Sequence, residues 1–466
     1  MKLNLIYKNY FKALGLFSLL LVATLFLNCE DFIDVDLPDS ELTGQTVFHD
    51  LATAEAAVTE IYSKLVNNTL VCGTSSGLSI LLGNYADEIQ PYNTGLQEYD
   101  FFQNSLISSH PQVSTLWNGS YNLIYAANSV IEGLENSTGI PDPDKERLMG
   151  EALFVRAFVH FYLVQIFDEI PYVTTTDYLA NSTVSRMPLA DVYAAIITDL
   201  ESATISLENT GLTPFRLRPS KAAVNTLLAR VHLYTSNWEG AEMVASAVIA
   251  GANLTWVPTL ENVFLKTSSG TIWQLMRNQE GLPTHEAEHF IFTSSPPPNR
   301  ALSSYLVDAF EAGDLRKSLW TGHVDNGLEV WYYPNKYKQF EPEAESLEYS
   351  IIFRLEELYL IRAEARAHLG DMEGAQGDLN KIRNRAGLGN TTASTEPALL
   401  DAILQERRIE FFSELGHRFF DLKRTGYLDA TLNPIKPGWN STERLWPIPE
   451  SELLLNPNLL PQNPGY

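Results

Sequence analysis

The sequence predicts a mainly α-helical protein with about four helical hairpins and one large loop-rich insertion that carries little β-structure. Two segments, 220–251 and 353–388, share a pattern of helix, break and helix. Between them, residues 252–349 lose the helical periodicity and contain many aromatic residues and a proline run. The predicted fold class is therefore a set of helical hairpins with one interruption.

The segment 353–388 shows the clearest hairpin. Its apolar residues, such as Leu358, recur at the spacing that places them on one helical face. Gly370 and Asp371 break this pattern before it starts again. We expect Asp371 to cap the second helix and Gly387 to end it, because these residue types satisfy the free backbone groups at helix ends.

The segment 220–251 is a second copy of this unit. Aligning Ala229 with Ala363 places Ala241 over Ala375, with twelve positions between the alanines of each copy. The length and the small residues at the helix crossing resemble the tetratricopeptide repeat. Two weaker candidate pairs are 151–167 with 189–207, and 52–66 with 113–134. The alternative is that any helical hairpin places alanine where its helices cross.

The composition is that of a globular protein with a strongly acidic charge balance. The 57 acidic and 32 basic residues give a formal net charge of -25, and 45% of the residues are hydrophobic. Nucleic acid is excluded as a partner, because phosphate binding needs basic patches. The acidity mainly favours solubility, and it leaves a neutral ligand such as a sugar possible.

The N-terminus has the features of a targeting segment. Lysines at positions 2, 8 and 12 precede an apolar run at 14–27, which predicts a signal peptide over 1–28. Cys29 follows directly, where a bacterial lipoprotein carries its lipid. The alternative is an ordinary signal peptide with an incidental cysteine. Cys72 is the only other cysteine in the sequence, and we expect it to be a buried or incidental thiol.

The mature chain is predicted to be a single unit over 29–466. Within it, 50–251 and 350–425 form the helical scaffold, 252–349 is the loop-rich insertion on the ligand side, and 426–466 is an extended C-terminal segment.

Aromatic and amide residues on irregular backbone are the candidate ligand contacts, since a rigid scaffold commonly presents its ligand on loops. Exposed rings stack on the C–H faces of sugars, and polar neighbours bind the hydroxyl groups. The residues chosen on this chemistry are Asn84, Asp87, Tyr92, Trp273, Trp320 and Trp331. The alternatives are a locally packed loop around the first three and a core position for about half of the aromatic residues of the insertion.

The string HEAEH at 285–289 matches H-E-x-x-H, in which two histidines one helical turn apart bind zinc. In a zinc metallopeptidase Glu286 would be the general base, and Glu311 lies at a plausible distance for a third ligand. Against this hypothesis, prolines enclose a short segment, and the residues from His289 onward suit a strand equally well.

The most specific resemblance lies in ERRIEFF at 406–412 and GHRFFDLKR at 416–424. These strings resemble the signature of the RagB/SusD family of nutrient-binding outer-membrane lipoproteins. Further matches are CEDFIDV at 29–35, GDLRK at 313–317, IRNRAG at 382–387, LWPIP at 445–449, NPN at 456–458 and QNPGY at 462–466. In physical terms, the charged residues of 406–412 predict ion-paired ties between hairpins rather than a catalytic site.

The resemblance implies four hairpins of tetratricopeptide type and a lipid-anchored protein on the outer surface of the outer membrane. It implies a partner, a SusC-type TonB-dependent transporter, and a cargo that is usually an oligosaccharide and less often a peptide. It implies no catalysis by the protein itself, and we expect no cofactor and no metal site. A protein that only serves as a scaffold for other proteins is a further alternative.

Overall fold

Helices make up most of the protein, as the sequence predicts. The computed structural model describes residues 47–251 and 254–466, so the predicted signal peptide and Cys29 lie outside the described residues. In chain order the helices are α1 (Leu51–Asn68), α2 (Leu78–Tyr85), α3 (Glu98–Phe102), α4 (Pro111–Asn136), α5 (Asp142–Phe167), α6 (Tyr178–Asn181), α7 (Leu189–Ser206), α8 (Lys221–Tyr234), α9 (Trp238–Gly251), α10 (His285–Phe290), α11 (Ser304–Val307), α12 (Leu315–Leu319), α13 (Leu355–His368), α14 (Met372–Arg385), α15 (Glu396–Glu410), α16 (His417–Arg424), α17 (Leu428–Leu432) and α18 (Glu450–Leu455).

The longer helices form the four predicted pairs. Helix α1 packs against α4, α5 against α7, α8 against α9, and α13 against α14. Neighbouring pairs also pack on one another, α4 on α5 and α9 on α13. Each pair buries the apolar face that it could not bury alone, so the pairs form a continuous helical frame.

Helix α5 lies in the centre of this frame. It is long and apolar enough to cross a membrane, but 94% of its most apolar 18-residue stretch is buried inside the protein. Other helices surround it, which explains why it is apolar on nearly all sides. It is therefore a core helix.

The predicted helix ends are confirmed in α14. The Asp371 side chain accepts a hydrogen bond from the backbone N–H of Gly374 at 2.9 Å. Gly387 has a φ of +79°, which favours glycine, and it directly follows the last turn. Local sequence chemistry thus fixes both ends of this helix.

The strands are short and form three antiparallel pairs: β1 (Ile89–Pro91) with β3 (Arg300–Leu302), β2 (Thr271–Leu275) with β6 (Ser350–Arg354), and β4 (Thr321–Asp325) with β5 (Val330–Pro334). Four of these six strands lie in the predicted insertion, which confirms that it is loop-rich with little β-structure. All five residues of β2 are buried.

The prediction that the residues from His289 onward suit a strand is wrong. His285–Phe290 is helical, and the hydroxyl of Thr284 accepts a hydrogen bond from the backbone N–H of Ala287 at 3.2 Å. This N-cap favours the helix, since it satisfies a free donor in the first turn. Elsewhere, Cys72 is a buried free thiol, as expected.

Candidate functional site

Trp273 lies in the core and cannot stack on a sugar. It is fully buried in β2, and its ring meets the rings of Phe154 and Phe158 of α5 edge-on, with centroid distances of 5.1 and 5.3 Å. The expectation that it contacts a ligand is therefore corrected. Its burial follows from the position of β2 between β6 and the central helix.

Trp320 is also a core residue. Its indole N–H donates a hydrogen bond to the carbonyl of Leu260 at 3.1 Å, and its ring meets that of Phe264 edge-on at 5.3 Å. With 1% of its surface exposed, neither face of the ring is open to a ligand. The predicted ligand contact is corrected here as well.

Asn84 and Asp87 are buried, and both have partners within the protein. The amide N–H of Asn84 donates to the carbonyl of Ile80 at 2.9 Å. Asp87 accepts from Arg418 and Arg408, each at 2.8 Å. Burial alone would raise the pKa of Asp87, but these guanidinium groups hold it below its usual value. Both residues stabilise the fold, which corrects their predicted role in binding.

Tyr92 and Trp331 lie side by side at the outer end of the strands. Tyr92 follows β1, is 42% exposed, and donates its backbone N–H to the carbonyl of Asn299 at 2.7 Å. Trp331 in β5 lies beside the Tyr92 hydroxyl, is 7% exposed, and packs on Phe292. Trp331 therefore supports Tyr92, and Tyr92 is the one predicted residue whose ring is open to a ligand.

Two amide residues outside the predicted set complete this surface. Asn93 follows Tyr92 in the chain. Its side-chain nitrogen lies 3.5 Å from the side-chain oxygen of Asn299. Both residues are half-buried. The turn-forming residues around Asn93 and the prolines before Asn299 are the signals that could have indicated them. We call Tyr92, Asn93, Asn299 and Trp331 the aromatic rim.

The charged residues of 406–412 form the predicted ion-paired ties. Glu410 at the end of α15 is fully buried and pairs with Arg316, Arg354 and Arg385 at 2.8, 2.6 and 2.7 Å. These arginines come from three other segments of the chain. Burial alone would raise the pKa of Glu410, but the three guanidinium groups hold it well below its usual range. This cluster therefore joins separate segments.

The constellation of a zinc metallopeptidase is not assembled. Glu286, the required base, is buried and accepts a hydrogen bond from the hydroxyl of Ser350 at 2.7 Å. Burial raises its pKa. Glu311, the expected third ligand, pairs with Arg383 at 2.6 Å instead. The peptidase alternative is therefore wrong in its base and in its third ligand.

Two clefts of about 390 and 370 Å³ lie on the helical side of the protein. The first lies between the end of α7 and the pair α8 and α9. The second lies among α8, α9, α13, α15 and α16, and Trp238 and His368 contribute to its wall. Neither cleft contains a residue of the aromatic rim.

The described residues thus form a frame of helix pairs with a strand-and-loop side that presents one exposed aromatic ring and two side-chain amides. Two family descriptions match the chain. The first, "Starch-binding associating with outer membrane", matches residues 31–233, and the second, "SusD family", matches residues 320–466. Together they cover most of the chain. The protein therefore belongs to the SusD/RagB family.

Individual relatives agree with this assignment. SusD-like protein P2 of Formosa agariphila is 27% identical, over 92% of this chain and 95% of the relative. The crystal structure of a SusD superfamily protein from Bacteroides vulgatus superposes with a TM-score of 0.77 at 21% identity, covering 90% of this chain and 100% of that one. A laminarin binding SusD-like protein superposes with a TM-score of 0.74 at 22% identity, with the same coverage of both chains. These structures show the same fold.

Proposed function

We propose that the protein binds an oligosaccharide at the cell surface through the aromatic rim and has no catalytic activity of its own. The observation that carries this proposal is the half-exposed ring of Tyr92 beside the side-chain amides of Asn93 and Asn299. Membership in a family described as starch-binding and likeness to a laminarin binding protein support a carbohydrate ligand. A peptide is the less favoured ligand.

The chemistry of the rim suits a neutral sugar. The face of a tyrosine ring attracts the C–H groups of a pyranose, and amide side chains both donate to and accept from hydroxyl groups. The backbone hydrogen bond from Tyr92 to Asn299 fixes the two backbone segments that carry the ring and the amides. Little backbone freedom is then lost when a ligand binds.

We propose that the protein is not a catalyst because its adjacent carboxyl groups, Asp87 and Glu88, are buried. Hydrolysis of a glycoside needs two carboxyl groups that flank the bond to be cleaved. Asp87 is ion-paired to arginines, and Glu88 is fully buried. Neither carboxyl group can reach a sugar at the surface, so this adjacent pair serves the fold.

The location and the partner complete the proposal. We infer a lipid anchor on Cys29 after removal of residues 1–28, attachment to the outer membrane with the rim facing outward, and delivery of the ligand to a SusC-type TonB-dependent transporter. A family described as associating with the outer membrane supports this assignment. Residues 29–466 would then act as one binding unit, and the clustering of Val47–Tyr466 into one compact unit supports this.

A binding screen tests the proposal. The full-length protein, purified in detergent, is titrated with soluble starch, laminarin, other neutral glycans and peptides. We expect saturable binding of at least one glycan and no release of reducing ends. Capture of the transporter in a pull-down, without binding of any glycan or peptide, would favour the alternative of a pure scaffold and contradict the proposal.

A further inference from the structure

Helix α10 brings three metal-binding side chains together on one face. His285, Glu288 and His289 occupy positions i, i+3 and i+4, which are neighbours on a helical surface. One ligand atom from each residue lies within 4.8 Å of the other two. The proposed glycan binding uses none of these residues.

The hydrogen bonds of Asn67 fix the tautomer of His285. The amide nitrogen of Asn67 donates to the carbonyl of Ser63 at 2.9 Å and to the side-chain oxygen of Asn278 at 3.2 Å. Its amide oxygen is therefore an acceptor, and Nε2–H of His285 donates to it at 3.1 Å. In the neutral imidazole this leaves a lone pair on Nδ1.

That lone pair faces a carboxylate. Nδ1 of His285 lies 3.3 Å from Oε2 of Glu288, and the nitrogen is buried without a hydrogen-bond partner in the described part of the chain. The whole side chain is nine-tenths buried, with 8% of the residue exposed. Two acceptor atoms at this distance repel each other unless a proton or a metal cation lies between them. A zinc ion that binds both at about 2.0–2.1 Å in tetrahedral geometry holds them roughly 3.3 Å apart.

The other two side chains are oriented by their neighbours. Nδ1 of His289 hydrogen-bonds to the carbonyl of His285 at 3.0 Å, which leaves Nε2 as the free ligand atom. Arg277 holds Oε1 of Glu288 at 2.7 Å and leaves Oε2 for a metal. Arg277 is in turn fixed by the carbonyl of Pro283 at 3.1 Å. These contacts are of the kind that orient ligands in metal sites.

We propose that His285, Glu288 and His289 bind one divalent late transition metal ion, with Zn²⁺ as the preferred occupant. Two imidazoles and one carboxylate suit this class of ion, and the fourth position stays open to water or to an external ligand. This departs from the expectation that the protein binds no metal. The site differs from that of a metallopeptidase, because Glu286 lies against Ser350 and cannot act as a base at the metal.

The test uses full-length protein without a polyhistidine tag. Zinc content after dialysis is measured first, followed by calorimetric titration with Zn²⁺. The wild-type protein is expected to bind one equivalent. His289→Ala and Glu288→Gln are expected to weaken binding at least about tenfold, since even residues that only orient a ligand contribute about 10- to 100-fold. Co²⁺ should give the absorption bands of a tetrahedral ion in the wild-type protein and not in His289→Ala.

Two variants are the matched controls. Glu286→Gln changes the neighbouring carboxylate that faces Ser350, and His323→Ala removes an exposed histidine from β4. Both are expected to keep one equivalent of zinc. A wild-type protein that binds no zinc would overturn the proposal, as would equal binding by wild type and His289→Ala. Glycan binding is measured separately, so failure of this proposal leaves the proposed function untouched.

Discussion

The interior of the helical frame and the aromatic rim use polar side chains in opposite ways. In the frame, Glu410 has three guanidinium partners and no contact with solvent. At the rim, Tyr92 and the amides of Asn93 and Asn299 remain open to water on at least one side. A polar group that is saturated within the protein cannot bind a ligand, whereas a partly saturated one can. The proposed binding is therefore placed at the rim, where polar groups remain accessible.

The substitution Glu410→Gln tests how strongly the buried ion pairs stabilise the frame. The amide keeps the shape of the side chain, but it leaves three buried guanidinium groups without their shared charge. Each guanidinium group keeps at least one other carboxylate partner, so we expect the free energy of unfolding to fall by about 3 kcal/mol, the lower end of the cost of breaking a buried ion pair. Urea denaturation followed by circular dichroism measures this change.

The matched control is Glu60→Gln. Glu60 forms an exposed pair with Lys64 at 3.9 Å. Exposed pairs contribute less than about 1 kcal/mol, so this variant should unfold close to the wild type. Equal losses of stability in both variants would show that the buried cluster contributes no more than an exposed ion pair.

Trp273→Ala distinguishes core from ligand contact. Removing this fully buried ring is expected to cost about 3–5 kcal/mol of stability, because a cavity remains in the centre of the frame. Affinity per folded molecule for a confirmed glycan should not change. Leu328→Ala, at a residue that is 92% exposed, should leave stability within about 0.5 kcal/mol. Lost affinity for the glycan with unchanged stability would show that Trp273 contacts the ligand.

The buried carboxyl group of Glu88 predicts a pH dependence. Burial, reinforced by neighbouring Asp87, raises the pKa of Glu88 to about 8. The folded protein then holds a proton that the unfolded chain loses near the ordinary value of 4.5. The stability from this group is present below pH 4.5 and is lost as the pH rises toward 8.

Glu88→Gln should remove this dependence. From pH 5 to pH 8, the variant should gain stability relative to the wild type, by on the order of 3 kcal/mol at the upper end. Urea denaturation at several pH values measures the difference. A constant difference across this range would mean that Glu88 does not keep its proton in the folded protein.

Local patterns in the sequence predict the frame well. The helix periodicity, the paired alanines and the cap at Asp371 are properties of neighbouring residues, and the structure confirms each of them. The Glu410 ties could also be predicted, because Glu410 stands between Ile409 and Phe411, and a charge buried among apolar residues needs partners.

The residues of the proposed binding surface could not be predicted in the same way, because exposure depends on the tertiary structure. Trp273 and Tyr92 are both aromatic residues in irregular regions, yet β2 lies against the central helix and the end of β1 faces outward. Asp87 meets arginines that are more than 300 positions away in the chain. No local pattern indicates that its carboxylate is already paired with arginines.

The most direct test of the account is the affinity of Tyr92→Ala for a confirmed glycan, measured by calorimetry beside Tyr178→Ala. Tyr178 is a tyrosine on helix α6 that is 75% exposed and outside the rim. If the rim binds the sugar, Tyr92→Ala should lose about 1–3 kcal/mol of binding free energy, roughly a five- to 150-fold loss of affinity, at nearly unchanged stability. Tyr178→Ala should bind like the wild type. Unchanged affinity in Tyr92→Ala would contradict the assignment of binding to the rim.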